Sequence, residues 1–482
     1  MLLGALEQTV LAVAVPAIAT QLSGFELMAW IMAAYLVAST VVTPIYGTVS
    51  DIYGRRATLT AAIIVYLLGT IGCVQAETIF ELIAFRAMQG MGGGGLIAVA
   101  QTTIADVVPL RERGRYQGYI SGVWAAASMG APIIGGYLTN YFSWRAIFMV
   151  NFVVGVVALV VVRHTLRALP TQSRGSRNID VVGALLLAAG LTAILIAVTR
   201  VGQGVSLHDP LNAALALSGV GLLLVFCWHE QRVAEPLMPL AILANPTVAL
   251  CCATLFMTYV QFVSLSVLLP LRLQMVGAVA ADEAALRLLP LTLTVPIGTF
   301  GGGWLMTKYG RYKPLQLGGA IAATLAAFAF AFTEPHQVWL MAAVTGLLGI
   351  GVGLQIPTGV VAIQSSVPSS QVGMATGLAG FSRMLGGAVG VAVLTAVLLA
   401  LLRKAVPDVS GAGAQSATAL FQSLIASSSS PDAAALRHAA EGAFRTLFII
   451  LASATTISPV LLCWLRERDL GERAVASGKP QA

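Results

Sequence analysis

The chain has 482 residues, 57% of them hydrophobic and 10% charged, with a mean hydropathy of +0.86. No soluble domain of this length could hydrate so apolar a surface, which excludes a water-soluble enzyme and leaves a polytopic membrane protein. The formal net charge of +7 comes from Lys and Arg scattered over short loops, with no basic helix or aromatic-interleaved patch, so it reports topology and excludes a nucleic-acid partner.

Fourteen apolar runs are long enough to span a bilayer as helices: residues 2–22, 30–49, 57–76, 79–105, 116–139, 144–162, 181–201, 211–228, 248–269, 284–306, 314–332, 338–363, 372–402 and 443–464. The first has no basic residue ahead of it and contains Glu7, so no cleavable signal peptide is expected, and a start further upstream stays open. Between the second and third runs lies the joint Tyr46-Gly47-Thr48-Val49-Ser50-Asp51-Ile52-Tyr53-Gly54-Arg55-Arg56. Gly47 lets helices approach closely and Gly54 supplies the positive φ of a sharp reversal, while Asp51, Arg55 and Arg56 belong at the water boundary. The five cysteines, Cys73, Cys227, Cys251, Cys252 and Cys463, all fall in apolar runs, without disulfide or metal-ligand spacing, so no cofactor is implied.

With the amino terminus inside, the inner loops hold 17 Lys and Arg, the outer loops 8, and 2 (Arg86 and Arg383) fall within runs. This bias places both termini in the cytoplasm. Gly303-Trp304-Leu305-Met306-Thr307-Lys308-Tyr309-Gly310-Arg311-Tyr312-Lys313 repeats the spacing of the first joint, with Thr307 in place of Asp51. Two related halves follow: a bundle over 1–163, a linker and two inserted helices over 164–245, a second bundle over 246–465, and a cytoplasmic tail over 466–482. Residues 403–441, rich in Ser and Ala, read as an extracytoplasmic loop with a short helix near 433–440.

An ionisable group near mid-membrane costs about 3 kcal/mol on insertion scales, so those inside the runs carry information. Glu7, in Leu6-Glu7-Gln8-Thr9-Val10-Leu11-Ala12-Val13-Ala14-Val15-Pro16, is the sole carboxylate well inside one. Arg86 precedes Gln89, Gly90 and Gly92 in the fourth run, Arg383 lies in the thirteenth near the inner boundary, and Asp106 ends the fourth run on the inner side. The joint G-x-x-x-D-x-x-G-R-R resembles the loop between the second and third helices of the major facilitator superfamily of transporters. The Glu7 segment and R-x-x-Q-G-x-G are similar to signatures of its fourteen-span drug/proton antiporter family. Ser128-Met129-Gly130-Ala131-Pro132-Ile133-Ile134-Gly135-Gly136 resembles that superfamily's exporter motif, with Ala127 and Ala131 replacing two glycines.

The resemblance implies an all-α fold of two six-helix bundles plus two inserted helices, with a substrate cavity between the bundles. It implies proton-coupled efflux of small lipophilic compounds across the inner membrane by alternating access, and not an enzyme. Glu7 is then the proton carrier, beside readings as a helix anchor or a contact to a cationic substrate, because a carboxyl deprived of water favours its neutral form. Arg86 would tune it or form a structural salt bridge; Asp51, Arg55, Arg56 and Asp106 would form a gating charge network. Gly130, Pro132, Gly135 and Gly136 would bend the fifth helix. Gln8, Tyr35, Gln89, Tyr259, Gln261 and Gln355 are candidates to line the cavity. The partners expected are a lipophilic small molecule, protons, lipid and, on the outer face, a periplasmic adaptor protein. Export of an endogenous metabolite or siderophore, or uptake, is the alternative of the same fold. No ATP-binding loop of the G-x-x-x-x-G-K-[ST] type occurs, so a gradient must drive any pumping.

Overall fold

The computed structural model describes residues 3, 4, 7, 11, 14, 18, 21, 22, 27–109, 112–165, 180–202, 205, 206, 209–233, 236, 241–277, 279, 281–368, 371–405 and 433–467. Among these there is no strand. The long helices are α1 (Met28–Tyr53), α2 (Arg55–Gln75), α3 (Ile79–Val107), α4 (Arg113–Tyr141), α5 (Arg145–Thr165), α6 (Val181–Gly202) and α7 (Pro210–Glu230). They continue with α8 (Pro246–Met275), α9 (Leu289–Tyr309), α10 (Lys313–Phe330), α11 (Val338–Ser366), α12 (Val372–Ala405) and α13 (Ala433–Thr455), which leads into a short helix, Ile457–Cys463. Ahead of α1, Leu3, Gly4, Glu7, Leu11, Ala14, Ile18 and Gln21 are helical. The first six of these are buried, so this segment is turned into a bundle.

Eleven helices among the described residues are long and apolar enough to cross a membrane. With α4, α9 and the amino-terminal segment they account for the fourteen runs. An all-helical architecture is what lipid demands, since it satisfies backbone donors and acceptors within each segment.

The packing repeats itself along the chain. In the first half α3 packs on α1 and α2, and α2 on α5; in the second half α11 packs on α9 and α10, and α10 on α13. The halves meet where α4 lies on α9 and where α12 lies on α1, two contacts related by the same correspondence of helices. The α6–α7 pair packs together, and α6 lies across both α1 and α12.

The joint between the second and third runs is the sharp reversal at Gly54 that the sequence predicts: α1 continues through Tyr53 and α2 starts at Arg55, leaving only Gly54 between them with φ 85° and ψ 153°. A side chain would strain that backbone, so glycine is required there. The last helix starts at Ala433 rather than residue 443, with Ala440, Ala443 and Phe444 buried on one face; the early turns are too polar to register as an apolar run. Arg383 is eleven residues into α12, about 16 Å along a helix rising 1.5 Å per residue, and so sits near mid-membrane rather than at the inner boundary.

Candidate functional site

A buried polar cluster occupies the amino-terminal half. Glu7 and Arg86 both have no exposed surface, and Arg86 Nη1 donates to Glu7 Oε1 as an ion pair. The other carboxylate oxygen of Glu7 accepts hydrogen bonds from Tyr66 Oη at 2.8 Å, Gln89 Nε2 at 3.1 Å and Asn151 Nδ2 at 2.6 Å. Arg86 Nε donates to the Ile31 carbonyl at 3.0 Å and Nη1 also to Gln89 Oε1 at 2.7 Å, while the guanidinium lies 4.6 Å from the Tyr35 ring centroid. Gln89 Nε2 reaches Thr70 Oγ1 at 2.9 Å. Glu7 therefore ties its own segment to α2, α3 and α5, and α1 enters through Tyr35 and Ile31.

A buried ion pair survives desolvation only when its remaining lone pairs and protons are satisfied, and the three neutral donors on one oxygen do this for the carboxylate. Adding a proton to Glu7 would cancel its charge against Arg86 and put an O–H where a donor now points inward. Arg86 Nη2 and Tyr35 Oη are buried without a partner, so the cluster has donors to spare beside the pair.

A second charge cluster closes one face of the seam between the halves. Arg55 bridges Asp51 at 2.6 Å and Asp106 at 2.7 Å. Asp51 Oδ2 in turn accepts from the backbone N–H of Met374 at 3.0 Å, in the first turn of α12, where the helix dipole favours an anion. This approach requires Gly47 and Gly373: a Cβ on Gly47 would lie 2.7 Å from the Gly373 carbonyl oxygen, and one on Gly373 would collide with the Asp51 carboxylate. On the same face, Arg113 Nη1 of α4 donates to Gln364 Oε1 of α11 at 3.2 Å, and the Tyr119 and Phe300 rings stand 6.3 Å apart across α4 and α9. Arg56 begins α2 beside Arg55 and is half-buried.

The other expected residues scatter. Gln261 donates to the Ala323 carbonyl at 2.6 Å and Gln355 accepts from Thr258 at 2.8 Å, so both are engaged between helices inside the carboxy-terminal half. Tyr259 is half-buried, with the Arg383 guanidinium 5.7 Å from its ring centroid. Gly130, Pro132, Gly135 and Gly136 lie within α4, where Gly135 is buried. Gln8 falls outside the described residues. Sequence reasoning missed Tyr66, Thr70 and Asn151, since one Tyr, Thr or Asn in an apolar run carries no signal of its own. The spacing that could have helped is Tyr66 to Thr70, one helical turn on α2.

Residues 1–391 match the family pattern described as Major Facilitator Superfamily. The chain is 30% identical to multidrug resistance protein fnx1 of Schizosaccharomyces pombe over 83% of this chain and 77% of that one. It is 28% identical to multidrug transporter protein MdtP of Bacillus subtilis, over 83% of this chain and 73% of that one. Among solved structures it is similar to the proton:xylose symporter XylE, with a TM-score of 0.63 at 15% identity, covering 98% of this chain and 96% of that one. The membrane-spanning helices, the duplicated packing and these relatives agree: the chain belongs to the major facilitator superfamily, as a multi-pass membrane transporter.

Proposed function

We propose that the chain exports small lipophilic compounds in exchange for protons, alternating between bundles 1–163 and 246–465 with the 164–245 segment as an inserted pair. The observation that carries this reading is the fully buried Glu7–Arg86 pair, an ionisable carboxylate sealed from water among the helices of one bundle. Glu7 carries the proton, Arg86 stays charged and sets its partner's preference, and Asp51, Arg55 and Asp106 hold the cytoplasmic face shut while the outer face is open. The relatives named for multidrug resistance and multidrug transport favour export over uptake. The protein then sits in the cytoplasmic membrane with both termini inside, and any adaptor partner meets its outer face.

Inside-out vesicles with an imposed proton gradient, given a fluorescent lipophilic cation in the bath, test this reading. The wild-type chain should accumulate the cation, whereas Glu7→Gln should bind it without gradient-driven accumulation. Equal pumping by both would remove Glu7 from coupling.

A further inference from the structure

Arg383 is a buried cation whose charge no described residue around it neutralises. It is 7% exposed, lies about a third of the way along α12, and donates through Nη2 to Gln101 Oε1 of α3 at 3.1 Å, across the seam between the bundles. Its other named neighbour is the face of Tyr259. Among the described residues no carboxylate is within ion-pair distance: Asp51 and Asp106 are held by Arg55, and Glu7 by Arg86. Gln101 is neutral, so it satisfies one N–H and leaves the charge.

A guanidinium has five N–H groups. Among the described residues only one of these on Arg383 has an acceptor, and neither Nε nor Nη1 is among the buried polar atoms left without a partner, so neither is fully sealed. Arg86, by contrast, spends its charge on Glu7 inside one bundle. Buried charges in proteins are paired, and the planar fork of Arg suits an oxyanion in particular.

We infer that Arg383 is the recognition point for the carboxylate or sulfonate of an amphipathic organic monoanion, bound between the bundles with its apolar body near Tyr259 and Met384. The inference rests on reading the chain as an alternating-access transporter, and it names a substrate class for the central site. The hydrogen bond to Gln101 adds a consequence. An anion arriving on Arg383 competes with a contact between the two bundles, so its binding loosens the closed seam.

The test is equilibrium binding of radiolabelled 1-naphthaleneacetate and its uncharged amide to the full chain in lipid nanodiscs. Wild-type protein should bind the anion saturably. Arg383→Gln should bind it at least about tenfold more weakly, Arg383→Lys should recover part of the loss, and Gln101→Leu should bind it no less tightly than wild type. Amide binding should be unchanged in Arg383→Gln, which also shows that the variant is folded. No saturable anion binding by the wild type, equal anion binding by Arg383→Gln, or parallel loss of amide and anion would each overturn the inference. Gradient-driven flux of tetraphenylphosphonium and of the labelled anion by the wild type is measured in parallel. Flux without anion binding sinks the anion site and leaves proton-driven export standing, whereas anion binding without flux does the reverse.

Discussion

Taking away one partner of the Glu7–Arg86 pair leaves the other charge buried in hydrocarbon without a counter-ion. Glu7→Met or Arg86→Met alone should therefore destabilise the protein by about 3–5 kcal/mol, the usual cost of an orphaned buried charge. The double variant replaces both by apolar side chains of similar bulk and should regain most of that loss. Unfolding in mixed micelles titrated with SDS reads the stability, and gradient-driven flux, expected to be absent in the double variant, reads function. A double variant as unstable as the singles would mean that the pair is not held together by its charges. Glu7 and Arg86 were legible in the sequence because an ionisable group inside an apolar run stands out energetically. Tyr66, Thr70 and Asn151 were not, since each is tolerated anywhere in a membrane helix and only the fold brings them to one carboxylate oxygen or, for Thr70, to the Gln89 amide that serves it. Gln261 and Gln355, candidates to line the cavity, each bond a neighbouring helix of the carboxy-terminal half, and which helix a polar residue in a span faces is set by the fold alone.

Helix ends and crossings carry the next set of forces. Arg272, only 2% exposed on α8, donates to the carbonyls of Phe330 at 2.9 Å and Thr333 at 2.6 Å, where α10 ends. Arg145 does the same for the end of α2, through Val74 at 3.0 Å and Ala76 at 2.8 Å. These cations, counted in the sequence merely as outer-loop charges, close the carbonyl ends of the third helix in each bundle. Arg272→Gln should cost about 2–3 kcal/mol of stability, and Arg272→Lys should rescue it poorly because an ammonium cannot span two carbonyls with a planar fork. Full rescue by Lys would mean that charge alone matters. The α1–α12 crossing depends instead on the absence of side chains. Gly47→Leu cannot be accommodated against Gly373 and Gly377 without separating the helices. In a cysteine-free background, spin labels at the exposed positions Tyr53 and Tyr309 should report a longer distance in Gly47→Leu than in the parent. An unchanged distance would show that the crossing can absorb the bulk.

At the scale of the whole molecule, the α6–α7 pair is placed to act on the conformational equilibrium without touching either charged site. Leu187, Leu191 and Leu195 of α6 are buried in one apolar cluster with Val41 of α1 and Ala375 and Ala379 of α12, so a single helix straddles both sides of the seam. On the alternating-access proposal, opening the Asp51 face moves α1 away from α12, and α6 can then keep contact with only one of them. The inserted pair thus favours the arrangement in which that face is shut. In lipid a leucine released from packing meets acyl chains rather than water, so each loss amounts to lost packing alone, on the order of 1 kcal/mol per Leu→Ala. Replacing Leu187, Leu191 and Leu195 together by alanine should therefore favour opening by about 2–3 kcal/mol, a factor of more than ten in the equilibrium, while leaving the Glu7 and Arg383 surroundings intact. The Tyr53 and Tyr309 spin labels should show a new long-distance population in this triple variant, and anion binding at Arg383 should persist. A distance distribution identical to the parent's would mean that α6 is a passenger, and that the seam is held by its direct contacts, among them Asp51 on the Met374 N–H, Arg113 on Gln364 and the glycine crossing.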